Sequence, residues 1–221
     1  MSSTVTNLRL YTYFRSSAAY RVRIALNLKG LDYTAVPVHL LRGGGEQHGA
    51  AFAELSPARL VPVLEDGAVT LTQSLAIIEY LEETYPTPPL LPADAASRAR
   101  VRALALSIAC DIHPLNNLRV LRYLKSEFEL DDRQREDWSR HWMRQGFGAL
   151  ERMLADSVQT GSFCHGESPS LADCCLVPQI ANARRLQWSL DDYPTMMRVH
   201  DNCVRLSAFA RAAPSAQLDA E

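Results

Sequence analysis

The sequence predicts an α/β domain followed by an all-α domain, and three observations lead to this prediction. An apolar strand over residues 8–14 runs directly into an amphipathic helix. Residues 60–72 read as two strands joined by Asp66-Gly67, a two-residue hairpin signal. After a proline-rich segment at residues 85–94, the apolar residues keep helical spacing through the rest of the chain.

The elements of the first domain follow in the order strand, helix, strand, short helix, hairpin and helix. In the first helix, Val22, Ala25 and Leu26 have helical spacing. Pro62 stands at the head of the first hairpin strand, where it cannot donate to a sheet. We therefore expect an edge position, a strand start or a cis bond at Pro62. The last helix of this domain reads from residue 75 to residue 85.

The domain boundary is predicted within residues 85–94, which hold four of the twelve prolines. Proline lacks a backbone donor and interrupts a helix, so this segment separates the α/β part from the helical part. We predict a first domain at residues 1–87 and a second at residues 93–221.

The second domain is predicted to contain only helices, each with a recognisable start or interruption. The predicted helices run from Ser97 to about Lys125 with a kink at Pro114, from Asp132 to Asp156, from a capping box at Ser170 to Leu186, and from Pro194 to near Ala213. Trp138 and Trp142 have the spacing of core residues, so packing is their expected role.

The composition argues against several classes of function. The formal net charge is −2, without the clustered basic excess that a nucleic-acid surface needs. No apolar run is long enough to cross a membrane, and the first residues lack the pattern of a secretory signal. The five cysteines have no metal-ligand or redox spacing. We therefore expect no metal site, and free thiols in a reducing cytoplasm.

Two adjacent hydroxyls, Ser16 and Ser17, stand where the first strand meets the first helix. Free N–H groups and the helix dipole favour an anion at such a position, and hydroxyl donors there can hold a thiolate. The structural alternative is that Ser16 only caps the helix, which is the usual role of serine at this place. From this segment alone, the capping role is favoured.

Further residues carry a resemblance to a known family. With the element order above, the pairs Val61-Pro62 and Gln73-Ser74 resemble the thioredoxin-like domain of a cytosolic glutathione transferase. Residues 14–17 and 21–26 are similar to the zeta class, which includes maleylacetoacetate and maleylpyruvate isomerases. The resemblance covers nearly the full length. It implies a thioredoxin-like N-terminal domain, an all-α C-terminal domain, glutathione as cofactor and a homodimer.

The resemblance also implies which residues of the first domain bind glutathione. Ser16 faces the sulfur, with Ser17 second, and Val61 pairs with the cysteinyl backbone. Gln73 and Ser74 hold the γ-glutamyl end, and Ser74 is also expected to cap its helix. For the glycyl carboxylate, Gln47 is the positional match, while His48 and Arg59 are chemically plausible.

The sequence departs from the zeta pattern at Ala18, where many members have cysteine. This removes any covalent role for the position but keeps both hydroxyls. A tyrosine-type site would instead use Tyr11 or Tyr13, which strand alternation places on the same face of the sheet. The serines are the preferred assignment.

Residues outside the thiol site are assigned to the substrate and to the far side of glutathione. Arg15 precedes Ser16 directly and is expected at the mouth of the pocket. The resemblance implies that Arg185 faces the substrate. It further implies glutathione contacts from His113, Asn117, Leu118 and Arg119. Without the family, the segment around Pro114 reads as a structural kink, and Arg185 reads as a partner for the helix C-terminus.

The predicted activity is glutathione-dependent cis–trans isomerisation of a small anionic maleyl keto acid, maleylacetoacetate, to its fumaryl isomer. The thiolate adds to the conjugated alkene, rotation follows, and elimination regenerates the thiolate. Three alternatives stay open. They are a maleylpyruvate isomerase, a general glutathione transferase or dehalogenase, and a non-catalytic protein that keeps the fold as a binding module.

Overall fold

The structure is a computed structural model that describes residues 7–221. Residues 1–6, where a secretory signal would begin, lie outside the described residues. The chain divides into two compact units. One comprises residues 1–90 together with 205–221, and the other comprises residues 91–204.

The first unit contains a four-stranded mixed sheet with the strand order β2-β1-β3-β4. Its elements are β1 (Leu8–Thr12), α1 (Ser17–Leu28), β2 (Tyr33–Pro37), α2 (Ala50–Leu55), β3 (Val63–Asp66), β4 (Val69–Thr72) and α3 (Ser74–Thr84), with short 3-10 turns at Arg42–Gly44 and Glu46–His48. Strand β1 pairs parallel with β2 and antiparallel with β3, while β3 and β4 form the hairpin. The predicted element order and the thioredoxin-like α/β class are confirmed.

Two element boundaries predicted from the sequence, the end of β1 and the hairpin loop, differ from the structure by one or two residues. The strand predicted over residues 8–14 ends at Thr12, because the chain turns at Tyr13, whose carbonyl accepts from the N–H of Ser16 (2.9 Å). In the hairpin, Asp66 pairs with Val69, so residues 67 and 68 form the loop. Gly67 there has a φ of 58°, a conformation that glycine adopts without steric cost.

Helix α1 lies against the sheet with nearly its whole length buried. Val22, Ile24 and Leu26 are fully buried, and α1 also packs against α3 and the short helix α9 (Ser207–Ala212). Burial of these aliphatic side chains supplies most of the driving force for docking the helix. The docked helix holds its N-terminus at the end of β1.

The second unit is helical, as predicted. Its helices are α4 (Ala95–Ala109), α5 (Leu118–Glu127), α6 (Asp132–Ala155), α7 (Leu171–Arg185) and α8 (Pro194–Val204). The expected kink at Pro114 is instead a complete break, with a 3-10 turn from His113 to Asn116. The reason is that proline cannot donate within a helix, while Asn117 caps a new helix by accepting from the N–H of Arg119.

The helix predicted from Pro194 to near Ala213 is two helices, α8 and α9. The chain leaves helical geometry at Leu206, which has φ −80° and ψ 132°. Residues 205–221, including α9, belong to the first compact unit. The division into residues 1–87 and 93–221 therefore differs from the compact units at this end of the chain.

Helix α6 buries a stripe that includes Met143, Phe147 and Leu150. Trp138 and Trp142 are half-buried beside this stripe. Their rings pack edge to face, with centroids 5.7 Å apart. The indole N–H of Trp138 donates to the carbonyl of Leu115 (2.8 Å). The expected packing role of the two tryptophans is confirmed.

Residues 7–221 also bear on membrane, metal and thiol chemistry. No helix in that range is both long and apolar enough to cross a membrane. Within the same range, no group of three or more His, Cys, Asp or Glu could hold a metal ion. The five cysteines carry free thiols, and only that of Cys110 is exposed.

Candidate active site

Ser16 is the N-cap of α1. Its side-chain oxygen accepts from the N–H of Ala19 at 3.2 Å. A hydroxyl has one proton to donate and two lone pairs to accept with, so capping leaves the proton of Ser16 available. The capping role and the thiolate-binding role are therefore compatible, and half-burial leaves Ser16 accessible to a ligand.

The first turn of α1 presents further donors. Neither the N–H of Ser17 nor that of Ala18 has a hydrogen-bond partner among residues 7–221. The first turn contains no acidic residue that would neutralise the positive end of the helix. Both residues are half-buried. The N-terminus of α1 is thus arranged to accept an anion.

Arg23, a buried residue of α1, donates hydrogen bonds to the turn before Ser16. Its buried guanidinium donates to Thr12 Oγ1 (2.9 Å), the carbonyl of Tyr13 (3.3 Å) and the carbonyl of Phe14 (3.1 Å). Desolvation lowers the pKa of Arg23 to about 10, so it stays cationic at neutral pH. Sequence reasoning missed Arg23, although a charge beside Val22 in an apolar helix was a visible signal.

Val61 and Pro62 lie directly before β3. The bond between them is cis, so the expectation for Pro62 is confirmed. The side chain of Val61 is buried, and neither its N–H nor its C=O has a hydrogen-bond partner in the described part of the chain. An extended peptide could therefore pair with Val61 through both groups.

Gln73 and Ser74 lie directly after β4. Gln73 occupies the N-cap position of α3, so the expectation that Ser74 caps this helix was wrong. Gln73 is exposed and has a φ of 67°, and such backbone strain in residues other than glycine clusters at functional sites. The buried Ser74 hydroxyl accepts from Arg21 Nη1 at 3.2 Å.

Sheet register brings these three segments together. Tyr11 pairs with Val63, and Val63 pairs with Thr72, so the end of β1, the start of β3 and the end of β4 share one edge of the sheet. The chain continues from that edge into Ser16 after β1 and into Gln73 after β4. The sequence predicted this cluster, and the backbone topology produces it.

In the loop predicted to hold the glycyl carboxylate, the Gln47 side chain is not oriented to donate a hydrogen bond to a ligand. Gln47 is buried, its Nε2 lies 3.4 Å from the carbonyl of Leu40 and 3.2 Å from His48 Nε2, and its Oε1 has no partner within residues 7–221. In this arrangement Gln47 presents an acceptor, and a carboxylate requires donors. His48 and Arg59 are exposed. The Gln47 side chain would have to turn its amide nitrogen toward a carboxylate in order to bind it.

Tyr11 is unsuited to activating a thiol. It is buried, and its hydroxyl donates to Glu65 Oε2 at 3.2 Å. Burial, followed by the charge of Glu65, raises the pKa of Tyr11 above its ordinary value. Tyr13 is also buried, with its ring in edge contact with Phe14 and His39.

Arg15 is exposed between Phe14 and Ser16. Its guanidinium carbon lies 5.1 Å from the centroid of the Phe14 ring, and no acidic side chain within residues 7–221 pairs with it. A cation held over an aromatic face beside an anion site can bind a carboxylate.

The remaining predicted residues belong to the second unit. His113 begins the 3-10 turn, Leu118 begins α5, and Arg119 is exposed beside it. The Asn117 side chain is used as the N-cap of α5, accepting from the N–H of Arg119 at 3.1 Å. Arg185 is exposed in the last turn of α7 and donates to Asn182 Oδ1 (2.8 Å). Asn117 therefore has a structural role in this unit.

Comparison with known proteins identifies relatives along nearly the whole chain. Residues 10–89 match the family model for the N-terminal domain of glutathione S-transferase, and residues 132–202 match that for its C-terminal domain. A probable maleylacetoacetate isomerase of Vibrio cholerae is 53% identical, over 97% of this chain and 99% of its own. A maleylpyruvate isomerase of a Ralstonia species is 51% identical, over 96% of this chain and 99% of its own.

Solved structures agree with these relatives. A holo structure of maleyl pyruvate isomerase, described as a bacterial glutathione S-transferase in the zeta class, has a TM-score of 0.94 and 50% identity, covering 96% of this chain and 100% of its own. A maleylacetoacetate isomerase from Methylobacterium extorquens AM1, with bound malonate and glutathione, has a TM-score of 0.93 and 41% identity, covering 96% and 99%. The chain therefore belongs to the glutathione S-transferase family, in its zeta class.

Proposed function

We propose that the protein is a glutathione-dependent cis–trans isomerase that converts maleylacetoacetate to its fumaryl isomer. The observation that carries this proposal is the N-terminus of α1, where the Ser16 hydroxyl proton meets two N–H groups that have no partner among residues 7–221. The relatives named as maleylacetoacetate and maleylpyruvate isomerases support the choice of reaction.

The residues of the first unit fit glutathione. Val61 offers the cysteinyl backbone an N–H and a C=O that have no partner in the described range, residues 7–221. The exposed Gln73 with Ser74 offers polar groups at the start of α3 for the γ-glutamyl end. For the glycyl carboxylate we propose the segment with Gln47 and His48, with Arg59 as a further candidate.

Glutathione, when bound, supplies a thiolate that adds reversibly to the conjugated double bond and so permits rotation about it. Ser16 donates its hydroxyl proton in a hydrogen bond to the sulfur, and Ser17 is the second donor. Both interactions, with the end of the helix, favour the charged form of the thiol and lower its pKa. Half-burial of this turn limits the water that would compete for the sulfur.

The substrate is anionic, so its position depends on cations. We propose that Arg15 holds a substrate carboxylate and stabilises the negative charge that develops on the carbonyl oxygen during addition. Arg185 is the second proposed substrate contact. For glutathione, the proposed contacts in the second unit are His113, Asn117, Leu118 and Arg119.

The test is a steady-state assay of maleylacetoacetate with and without glutathione. We expect turnover only when glutathione is present, with its concentration unchanged when the reaction ends. Isomerisation without glutathione, or consumption of one glutathione per substrate, would contradict the proposal. The second outcome would favour a general transferase or dehalogenase.

Maleylpyruvate is the second candidate substrate, because the Ralstonia maleylpyruvate isomerase is nearly as similar as the Vibrio relative. The two keto acids differ in chain length and share the carboxylate and the conjugated alkene. Comparing kcat/KM for both acids under one condition decides between them.

We further propose that the protein is a homodimer in the cytoplasm. The support is membership of the family, together with free thiols on all five cysteines. Sedimentation at micromolar concentration tests the first part, and a single species of 24.6 kDa would contradict it.

A further inference from the structure

The tail segment, residues 217–221, contacts residues that lie next in the chain to two parts of the proposed glutathione site. Asp219 Oδ2 accepts from the backbone N–H of Phe14 at 3.0 Å. Glu221 Oε1 lies 2.8 Å from Arg42 Nη2 and 3.3 Å from His39 Nε2. Phe14 precedes Arg15 and Ser16, while Arg42 begins the loop that leads to Gln47.

Asp219 supplies a hydrogen-bond acceptor to Phe14, a buried residue of the turn before Ser16. The carbonyl of Phe14 accepts a hydrogen bond from Arg23, and the N–H of Phe14 donates one to Asp219. Phe14 is buried, so a free N–H there would cost the full desolvation of that group. The charge of Asp219 also favours the cationic form of Arg23, opposing the effect of burial on the pKa.

We infer that Asp219 is a positioning residue for the thiol site, acting through the backbone of Phe14 on Arg15 and Ser16. The hydrogen bond joins a carboxylate to a backbone N–H, which makes it stronger than a neutral pair. When it is removed, the turn relaxes and the Ser16 hydroxyl moves away from its best position against the sulfur. Catalytic groups lose much of their effect when they are displaced by about 1 Å.

Other contacts anchor the chain before the tail, so Asp219 is not needed to hold it in place. Asn27 Nδ2 donates to the carbonyl of Ala208 (2.9 Å), and Arg23 Nε donates to the carbonyl of Ala212 (3.0 Å). Helix α9 also packs against α1. An Asp219 variant should therefore keep the fold while losing the positioning.

The test compares Asp219→Ala with Asp219→Asn and with Leu218→Ala. Asparagine keeps an oxygen that can accept from the N–H of Phe14. Leu218 is 92% exposed in the same segment and serves as the control. This inference rests on the proposed function of the site. Glutathione affinity and the thiolate absorbance of bound glutathione are therefore measured without keto acid, so that failure of the isomerase assay leaves this test valid.

We expect Asp219→Ala to raise the pKa of bound glutathione by up to about one unit and to lower kcat roughly tenfold at neutral pH. Asp219→Asn should keep the pKa of bound glutathione and kcat close to those of the unmodified protein, and Leu218→Ala should match the unmodified protein in both. Asp219→Ala leaves the N–H of Phe14 without its acceptor, so its thermal midpoint should fall by a few degrees, while the midpoints of the other two variants should change little.

Three outcomes would overturn the inference. The first is an Asp219→Ala protein with unchanged thiol pKa and kcat. The second is an equal loss in Leu218→Ala, which would indicate a general effect of the tail. The third is a loss in Asp219→Ala that Asp219→Asn does not restore, or one that appears only with partial unfolding at the assay temperature, because each would indicate a role other than this hydrogen bond.

Discussion

The Ser16 side-chain oxygen accepts the N–H of Ala19 at 3.2 Å, which caps α1 and leaves the Ser16 proton free. The same serine therefore caps the start of α1 and offers a hydrogen-bond donor to an anion at the N-terminus of that helix. Ser17 and Ala18 add two N–H groups at the same place, and neither has a partner in the part of the chain that the structure describes. The predicted behaviour of the site depends mainly on this turn.

Replacing Tyr11 should leave catalysis nearly unchanged. The Tyr11 hydroxyl already donates to Glu65, so it has no second proton for a thiolate. We expect kcat of Tyr11→Phe to stay within about twofold of the unmodified protein, a barrier change of less than about 0.5 kcal/mol. Steady-state kinetics at neutral pH measure this. A fall in kcat of tenfold or more would indicate that Tyr11 takes part in activating the thiol.

Removing the Arg23 guanidinium should destabilise the protein strongly. Arg23→Met leaves the carbonyls of Phe14 and Ala212 without this donor, at roughly 1–3 kcal/mol each, or about 2–6 kcal/mol of unfolding free energy. The matched control is Arg9→Met. Arg9 is half-exposed and pairs with Glu65, so its loss should cost less than about 1 kcal/mol. Urea unfolding compares the two variants, and equal stabilities would contradict the role of Arg23 as a buried donor.

The stability should depend on pH through His200. This side chain is buried, with Arg184 and Asp201 as neighbours at its two ring nitrogens. Burial lowers the pKa of His200 below 6.5, and the hydrogen bond with Asp201 opposes this only partly. The unfolded chain therefore takes up the proton at higher pH than the folded one. Stability from this group is present above the unfolded pKa and is lost as the pH falls below it.

Urea midpoints at about pH 7.5 and about pH 5.5 test this dependence on pH. His200→Gln should lose less stability than the unmodified protein between the two conditions. The control is His141→Gln, because His141 is exposed on α6 and should leave the pH dependence unchanged. The same slope in all three proteins would show that His200 does not contribute.

The candidate site residues of the first unit were expected from the family resemblance, whereas local pattern alone favoured a helix cap at Ser16. The two serines at a strand–helix junction, Val61-Pro62 before a strand and Gln73-Ser74 before a helix each combine residue type with position. The register of the sheet then brings them to one edge. The element order of the first unit was predictable from local pattern.

The contacts that support the site were not predictable, because they join residues far apart in the chain. Arg23 reaches the carbonyl of Ala212, and Asp219 reaches the N–H of Phe14. No periodicity marks such pairs. The break at Leu206 also has no proline or glycine to signal it, and it is this break that allows α9 to return to α1.

The most direct test of the account is the pH dependence of Ser16→Ala turnover, with Ser17→Ala as the matched control. Losing one hydrogen bond to a charged group costs roughly 1.5–3 kcal/mol, or about ten- to a hundredfold in rate. We predict a loss of this size for Ser16→Ala at neutral pH, a higher pKa of bound glutathione, and a smaller defect at alkaline pH, where the thiol ionises without help. Ser17→Ala should lose less. Full activity of Ser16→Ala at neutral pH, with an unchanged thiol pKa, would contradict the central claim.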